Sequence, residues 1–181
     1  MVIIKSTSVE LEKMFEDTII GLTEQVAGIT LKSKEKIPVA ARKSLNRQKK
    51  VIIKEHIDFS TQCVTVIKTK GVFHSFILCW MDQDLFDALT TGMNRNRKLE
   101  YGKQVFYMME YYNIICGRVL SKINNMMAST SRLTVPQVIH SQKELEIPKD
   151  DYRQHVRWDF DSDYGGLHVE TYYDLRKNKN K

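Results

Sequence analysis

The sequence predicts an α+β domain with a largely antiparallel sheet, and three observations carry that prediction. Amphipathic helical stretches are grouped at two places in the chain and do not alternate one for one with strands. Two apolar, β-branched and aromatic runs, 63–69 and 72–80, are separated by little more than Gly71, which marks a hairpin. From residue 134 onward the periodic segments are all strand-like. A doubly wound parallel sheet would instead require a helix after nearly every strand. With 181 residues, 42% of them hydrophobic, the chain can bury one sizeable core, so a single domain over 1–181 is expected.

The elements follow in order. Thr7 with Glu10 reads as a capping box, and Val9, Leu11, Met14, Phe15, Thr18, Ile19, Leu22 and Val26 form a helical stripe ending near Gly28. Strand-like runs at 51–59, 63–69 and 72–80 form a meander. A short helix over 82–89 is expected to be capped by Asp82 and closed at Gly92, and a long helix follows over about 102–127. Residues 134–140, 153–160 and 167–175 read as strands, with Asp163, Gly165 and Gly166 forming the last turn.

Composition excludes several function classes. The net charge of +6 is uneven: residues 32–54 carry nine basic side chains against Glu35 alone. No Phe, Tyr or Trp occurs between Phe15 and Phe59, so the aromatic interleaving of a single-strand nucleic-acid binder is missing. The stretch at about 32–50 therefore reads as a solvated basic loop feeding a strand, with no nucleic acid as partner, and 176–181 as a frayed tail. Cys63, Cys79 and Cys116 lie in apolar stretches without metal-ligand spacing and read as reduced core residues. His56, His74, His140, His155 and His168 are scattered over strands and turns, so no metal site is expected. Neither a GxGxxG nor a P-loop pattern is present, and Ser44 and Cys116 have no identifiable base beside them. Without a basic-then-apolar leader or a run long enough to span a membrane, the chain is expected to be cytoplasmic.

The chemistry concentrates on the long helix. At 100° per residue, Val105, Met108, Met109, Tyr112, Ile115, Cys116, Val119, Ile123 and Met126 share a broad apolar face. Glu110 and Asn113 fall on the other face with Lys103, Phe106, Gly117, Ser121 and Asn124. A carboxylate and an amide one turn apart, beside a glycine, make a surface that another molecule can approach closely. A solvated polar face is the bland reading of the same residues.

Glu110-Tyr-Tyr-Asn113-Ile-Ile-Cys-Gly117, with Pro136 after 22 further residues beyond Asn113, resembles the signature [DS]-x3-E-x2-N-x22-P of the CheC/CheX/FliY family of chemotaxis phosphatases. Glu, Asn and Pro match; Phe106 stands where the family has Asp or Ser. The element order, down to Gly165-Gly166-Leu-His-Val-Glu-Thr, is similar across most of the chain. In the first helix, Glu24-Gln-Val-Ala27-Gly28 lacks the asparagine of a second site, so the resemblance implies a single-site, CheX-like member without a CheD partner. It implies a homodimer joined through sheet edges and hydrolysis of the phosphoaspartate of a CheY-type response regulator. Asn113 would position the water and Glu110 would dock the regulator, with Lys103, Phe106, Gly117 and Ser121 as partner contacts. No cofactor is expected on this chain, because the Mg2+ belongs to the regulator. The alternative is a binding module of the same fold that docks a regulator or a flagellar-switch partner without hydrolysis.

Overall fold

A computed structural model describes residues 2–34, 57–145 and 152–176, with side chains from residue 10 onward. The order is α1 (Val2–Ala27), β1 (Lys32–Ser33), β2 (Gln62–Gly71), β3 (Phe73–Asp82), α2 (Gln83–Met93), α3 (Tyr101–Met126), β4 (Ser131–Leu133), β5 (Gln137–Ile139), β6 (Gln154–Ser162) and β7 (Gly165–Leu175). All strand pairs are antiparallel, in the order β1-β6-β7-β3-β2-β4, with β5 also on β2. The expected α+β class with its antiparallel sheet is therefore what the chain forms.

The central strand β3 is buried along almost its whole length, as its unbroken apolar run requires. Its alternate residues Phe73, Ile77, Cys79 and Met81 join the helices in the main core, while Phe76, Leu78 and Trp80 join Val64, Val66 and Tyr172 in a second cluster on the opposite face. The three helices pack together over the first face: Leu11, Phe15, Ile19 and Leu22 of α1, Leu85, Phe86 and Leu89 of α2, and a stripe of α3 from Met108 to Ile123. A short hydrogen bond between Thr23 Oγ1 and Tyr111 Oη, 2.6 Å, ties α1 to α3 inside that core.

Several expected boundaries move. The first helix starts at Val2, so Thr7 lies within it and does not cap it; Gly28, at φ 69°, ends it by donating its N–H to Glu24 O at 2.9 Å. Of the run 51–59, residues 51–56 lie outside the described residues, and 57–59 form a loop and turn, not a strand. The basic stretch begins in the short strand β1, and its remainder from residue 35, like the tail 177–181, lies outside the described residues. Asp82 precedes α2 without capping it: its Oδ2 accepts the Gly166 N–H at 2.7 Å and its Oδ1 accepts Gln62 Nε2 at 3.1 Å. The carboxylate is thus used across the sheet, where it secures the β6–β7 turn. Gly92 sits inside α2, which ends at Asn94. Of the run 134–140 only Gln137–Ile139 is strand, as β5; β4 precedes the run at Ser131–Leu133, and the gap between the two holds Pro136, which has no N–H for the ladder.

Candidate functional site

The buried side of α3 comprises Met108, Tyr111, Tyr112, Ile115, Cys116, Val119, Leu120 and Ile123, close to the stripe expected from periodicity. Met126 departs from it: it is 45% exposed at the helix end. On the opposite side Lys103, Phe106, Glu110 and Ser121 are exposed, and Asn113 and Gly117 are half-buried. Glu110 and Asn113 therefore project one turn apart from a rigid helix whose other face is locked into the core. Neither side chain has a hydrogen-bond or ion-pair partner among the described residues. A Cβ built on Gly117 would meet nothing within 4 Å, so the helix backbone is open there to a close approach.

Asn124 does not belong to this presented surface. Its Oδ1 accepts the Ser131 N–H at 2.8 Å and its Nδ2 donates to Ser131 O at 3.3 Å, so it holds the chain as it leaves the helix. At the other end of α3, the Tyr101 hydroxyl lies 3.3 Å from His140 Nδ1. Between these two ties the segment from Ser131 to His140 runs back along α3. Nine extended residues cover about 30 Å and 23 helical ones about 35 Å, so the two lengths match. Pro136 is buried in this segment and Val135 beside it is 68% exposed. The motif proline is thus buried within the strap tied to the two ends of α3.

Phe106 is 71% exposed, one turn before Glu110. A phenyl ring on a polar helix face, with the core complete behind it, is free to meet a partner. Among the described residues no cysteine is presented on this face. Cys116 points to the core, where burial pushes its thiol up to about 12, far from a reactive thiolate. Cys63 and Cys79 are likewise buried and free, with burial raising both thiols. Ser44 lies outside the described residues. Among the described residues no three His, Cys, Asp or Glu side chains gather in a metal-binding group, and no helix is long and apolar enough to cross a membrane. In α1, Ala27 is half-buried, and its backbone lies against Gly92 of α2.

By sequence, no family model and no curated protein matches this chain. By structure, it is similar to the CheX of Desulfovibrio desulfuricans, with a TM-score of 0.67 and 15% identity over 91% of this chain and 99% of that one. It is similar also to Vibrio vulnificus CheX, with a TM-score of 0.65 and 16% identity over 91% and 99% of the two chains. A third similar structure is the Borrelia burgdorferi CheX–CheY–BeF3–Mg2+ complex, with a TM-score of 0.60 and 11% identity over 90% and 96%. The chain thus has the fold of the CheX and CheC-like chemotaxis proteins along nearly all its length.

Proposed function

We propose that this chain is a CheX-like phosphatase that hydrolyses the phosphoaspartate of a CheY-type response regulator. The observation that carries the reading is the pair Glu110 and Asn113, without a polar partner among the described residues and one turn apart on the outer face of α3, in a chain whose fold is that of CheX. The CheX of the Borrelia complex was crystallised with CheY, which makes a regulator the natural partner to test for this chain.

The chemistry asks little of the protein. In an acyl phosphate the leaving group is already a good one, a carboxylate, so a water in line with the P–O bond suffices: its oxygen bonds to phosphorus, the acyl P–O bond breaks, and the water's protons leave with inorganic phosphate. The Asn113 amide, carried on a rigid helix, has both an acceptor and a donor with which to hold that water. It need not act as a base. Charge on the phosphoryl group is met by the regulator's own Mg2+ and lysine, as the metal and cations meet it where a glutamine positions the water in small GTPases. Glu110, one turn away, is placed to pair with that lysine and set the docking register. Lys103, Ser121 and the open backbone at Gly117 extend the contact along the same face.

The test is loss of phosphate from phosphorylated regulators of the same genome, with and without the purified protein. Acceleration supports the phosphatase. Saturable binding without acceleration supports the second reading, a docking module of the same fold, which Phe106 in place of a small polar residue favours. No binding and no acceleration would remove both. The homodimer through sheet edges belongs to the same reading. It is supported by β6, which pairs with β7 on one side and is covered by β1 on the other only at Phe160 and Asp161, leaving the outer edge of 154–158 without a strand among the described residues.

Two substitutions separate the contacts. Glu110→Ala is expected to weaken binding to a BeF3-activated regulator and Glu110→Lys to weaken it further, by repulsion from the regulator's lysine; equal affinities in titration calorimetry would exclude the ion pair. Phe106→Ser is expected to lower affinity through loss of the ring's burial, by up to about 2 kcal/mol, while turnover at saturation falls less. If the serine variant binds as well as the parent and hydrolyses faster, Phe106 is an obstruction and not a contact.

A further inference from the structure

The turn between α2 and α3 is built with the wrong residue for its geometry. Helix α2 ends in a Schellman arrangement: Asn96 N–H bonds to Thr91 O at 2.9 Å, and Arg95 N–H to Gly92 O at 3.2 Å. The residue that must turn left-handed in this arrangement is most often glycine. Here it is Arg95, at φ 54°, and Asn96 follows at φ 61°. Asparagine tolerates that region; arginine gains nothing from it. The helix dipole does not explain the choice, because a cation inside the last helical turn would serve it without strain, and α2 has no basic residue there.

The strained conformation is firmly held. Asn94 Nδ2 donates to Arg97 O at 2.9 Å, and the Tyr107 hydroxyl of α3 donates to Asn94 Oδ1 at 3.0 Å. The turn is thereby anchored to α3 at the residue next to Phe106. Arg95, Arg97, Lys98 and Lys103 are all exposed, and none makes an ion pair among the described residues. Glu100 is the only carboxylate between residues 94 and 109. Four cations, none of them ion-paired among the described residues, thus lie with the carboxylates of Glu100 and Asp87 at the N-terminal end of α3, which presents Phe106, Glu110 and Asn113. Lys103 is about 15 Å along the helix from Asn113, well inside the footprint of an interface burying roughly 800 Å2 per partner.

We propose that this arginine turn is a docking element for the acidic face that surrounds a regulator's phosphorylated aspartate. The inference rests on the phosphatase reading above and adds a second contact to it. A site that holds Mg2+ through carboxylates and carries a phosphoryl dianion is a concentrated anionic surface, and four exposed cations that outnumber the acids beside them match it in sign. The turn sets encounter rate and orientation; it does not touch the reacting atoms.

The test compares the parent protein, the double variant Arg95→Gly/Arg97→Ser and the control Asn96→Gly on CheY-type regulators of the same genome, activated with BeF3 and Mg2+ for binding and phosphorylated for turnover. The double variant removes two charges and relieves the left-handed strain at Arg95; Asn96→Gly relieves strain and removes no charge. At 50 mM NaCl the double variant is expected to raise Kd and KM at least tenfold, mainly through slower association, to change kcat less than twofold, and to melt no lower than the parent. At 500 mM NaCl the difference should shrink below threefold. Asn96→Gly should bind as the parent does. If the double variant binds as tightly as the parent at low salt, or Asn96→Gly weakens binding equally, the turn does not dock by charge. Binding of the parent to duplex DNA or heparin through these arginines, with no regulator bound, would reassign the patch to a polyanion. If the parent neither binds nor dephosphorylates any regulator, the phosphatase reading itself fails and the docking role falls with it, whereas failure of the variants alone leaves that reading standing.

Discussion

Asn113→Ala is expected to lower the rate of phosphate release from a phosphorylated regulator by on the order of 100-fold, the scale of loss when a reacting group is misplaced by about an ångström. The amide is half-buried on the outer face of α3 and has no partner within the described residues, so its removal leaves no internal group unsatisfied. Alanine is also the better helix former, and the folded state should gain up to about 0.5 kcal/mol. The variant should therefore melt at or slightly above the parent temperature and still bind the activated regulator through Glu110 and Phe106. Asn113→Gln sharpens the test: it keeps the amide and moves it outward by one methylene. Positioning predicts a loss close to that of alanine, whereas a loose requirement for any amide predicts recovery. Parent-like turnover in the alanine variant would show that this side chain does not hold the water.

The contrast between what the sequence makes legible and what it hides follows from the range over which each signal acts. Helix α3 is legible because its stripe repeats over 26 residues, and one wrong assignment, such as Met126, does not disturb the period. The Glu110 and Asn113 pair is legible because its meaning depends only on neighbours one helical turn apart and on spacing to Pro136. The role of Pro136 is not, because what fixes it is the strap held by Asn124 at one end and Tyr101 at the other. Asp82 carries every local sign of a cap, yet a glycine N–H 84 residues away in sequence takes its carboxylate. Local capping and a tertiary contact compete for the same oxygen atoms, and the contact wins where it also secures a hairpin turn. Arg95 is the inverse case: no sequence rule reads arginine as the residue closing a helix, so the end of α2 was assigned to the nearest glycine instead.

That glycine gives the largest expected change in stability. Gly92 lies inside α2, where its backbone is ordinary helix and alanine would by itself be favoured by about 1 kcal/mol. A Cβ added there would collide with the backbone of Ala27 at the end of α1, overlapping its carbonyl oxygen and coming within 2.9 Å of its Cα and 3.0 Å of its carbonyl carbon. Backbone at the end of a packed helix cannot swing aside as a flexible side chain would, so α1 must shift along its contact with α2 and α3, loosening the Thr23–Tyr111 bond. Overpacking of this kind outweighs the gain in propensity, and Gly92→Ala is expected to destabilise the fold by about 2–3 kcal/mol net. For a chain of this size that is a fall of roughly 5–10 °C in Tm. Gly21→Ala is the matched control, because Gly21 is an exposed position of α1 where a Cβ meets nothing within 4 Å; there the same substitution should stabilise by about 0.5–1 kcal/mol. Urea unfolding of the two variants side by side measures both signs. A Gly92→Ala protein as stable as the parent would mean that α1 and α2 are not in backbone contact at this point.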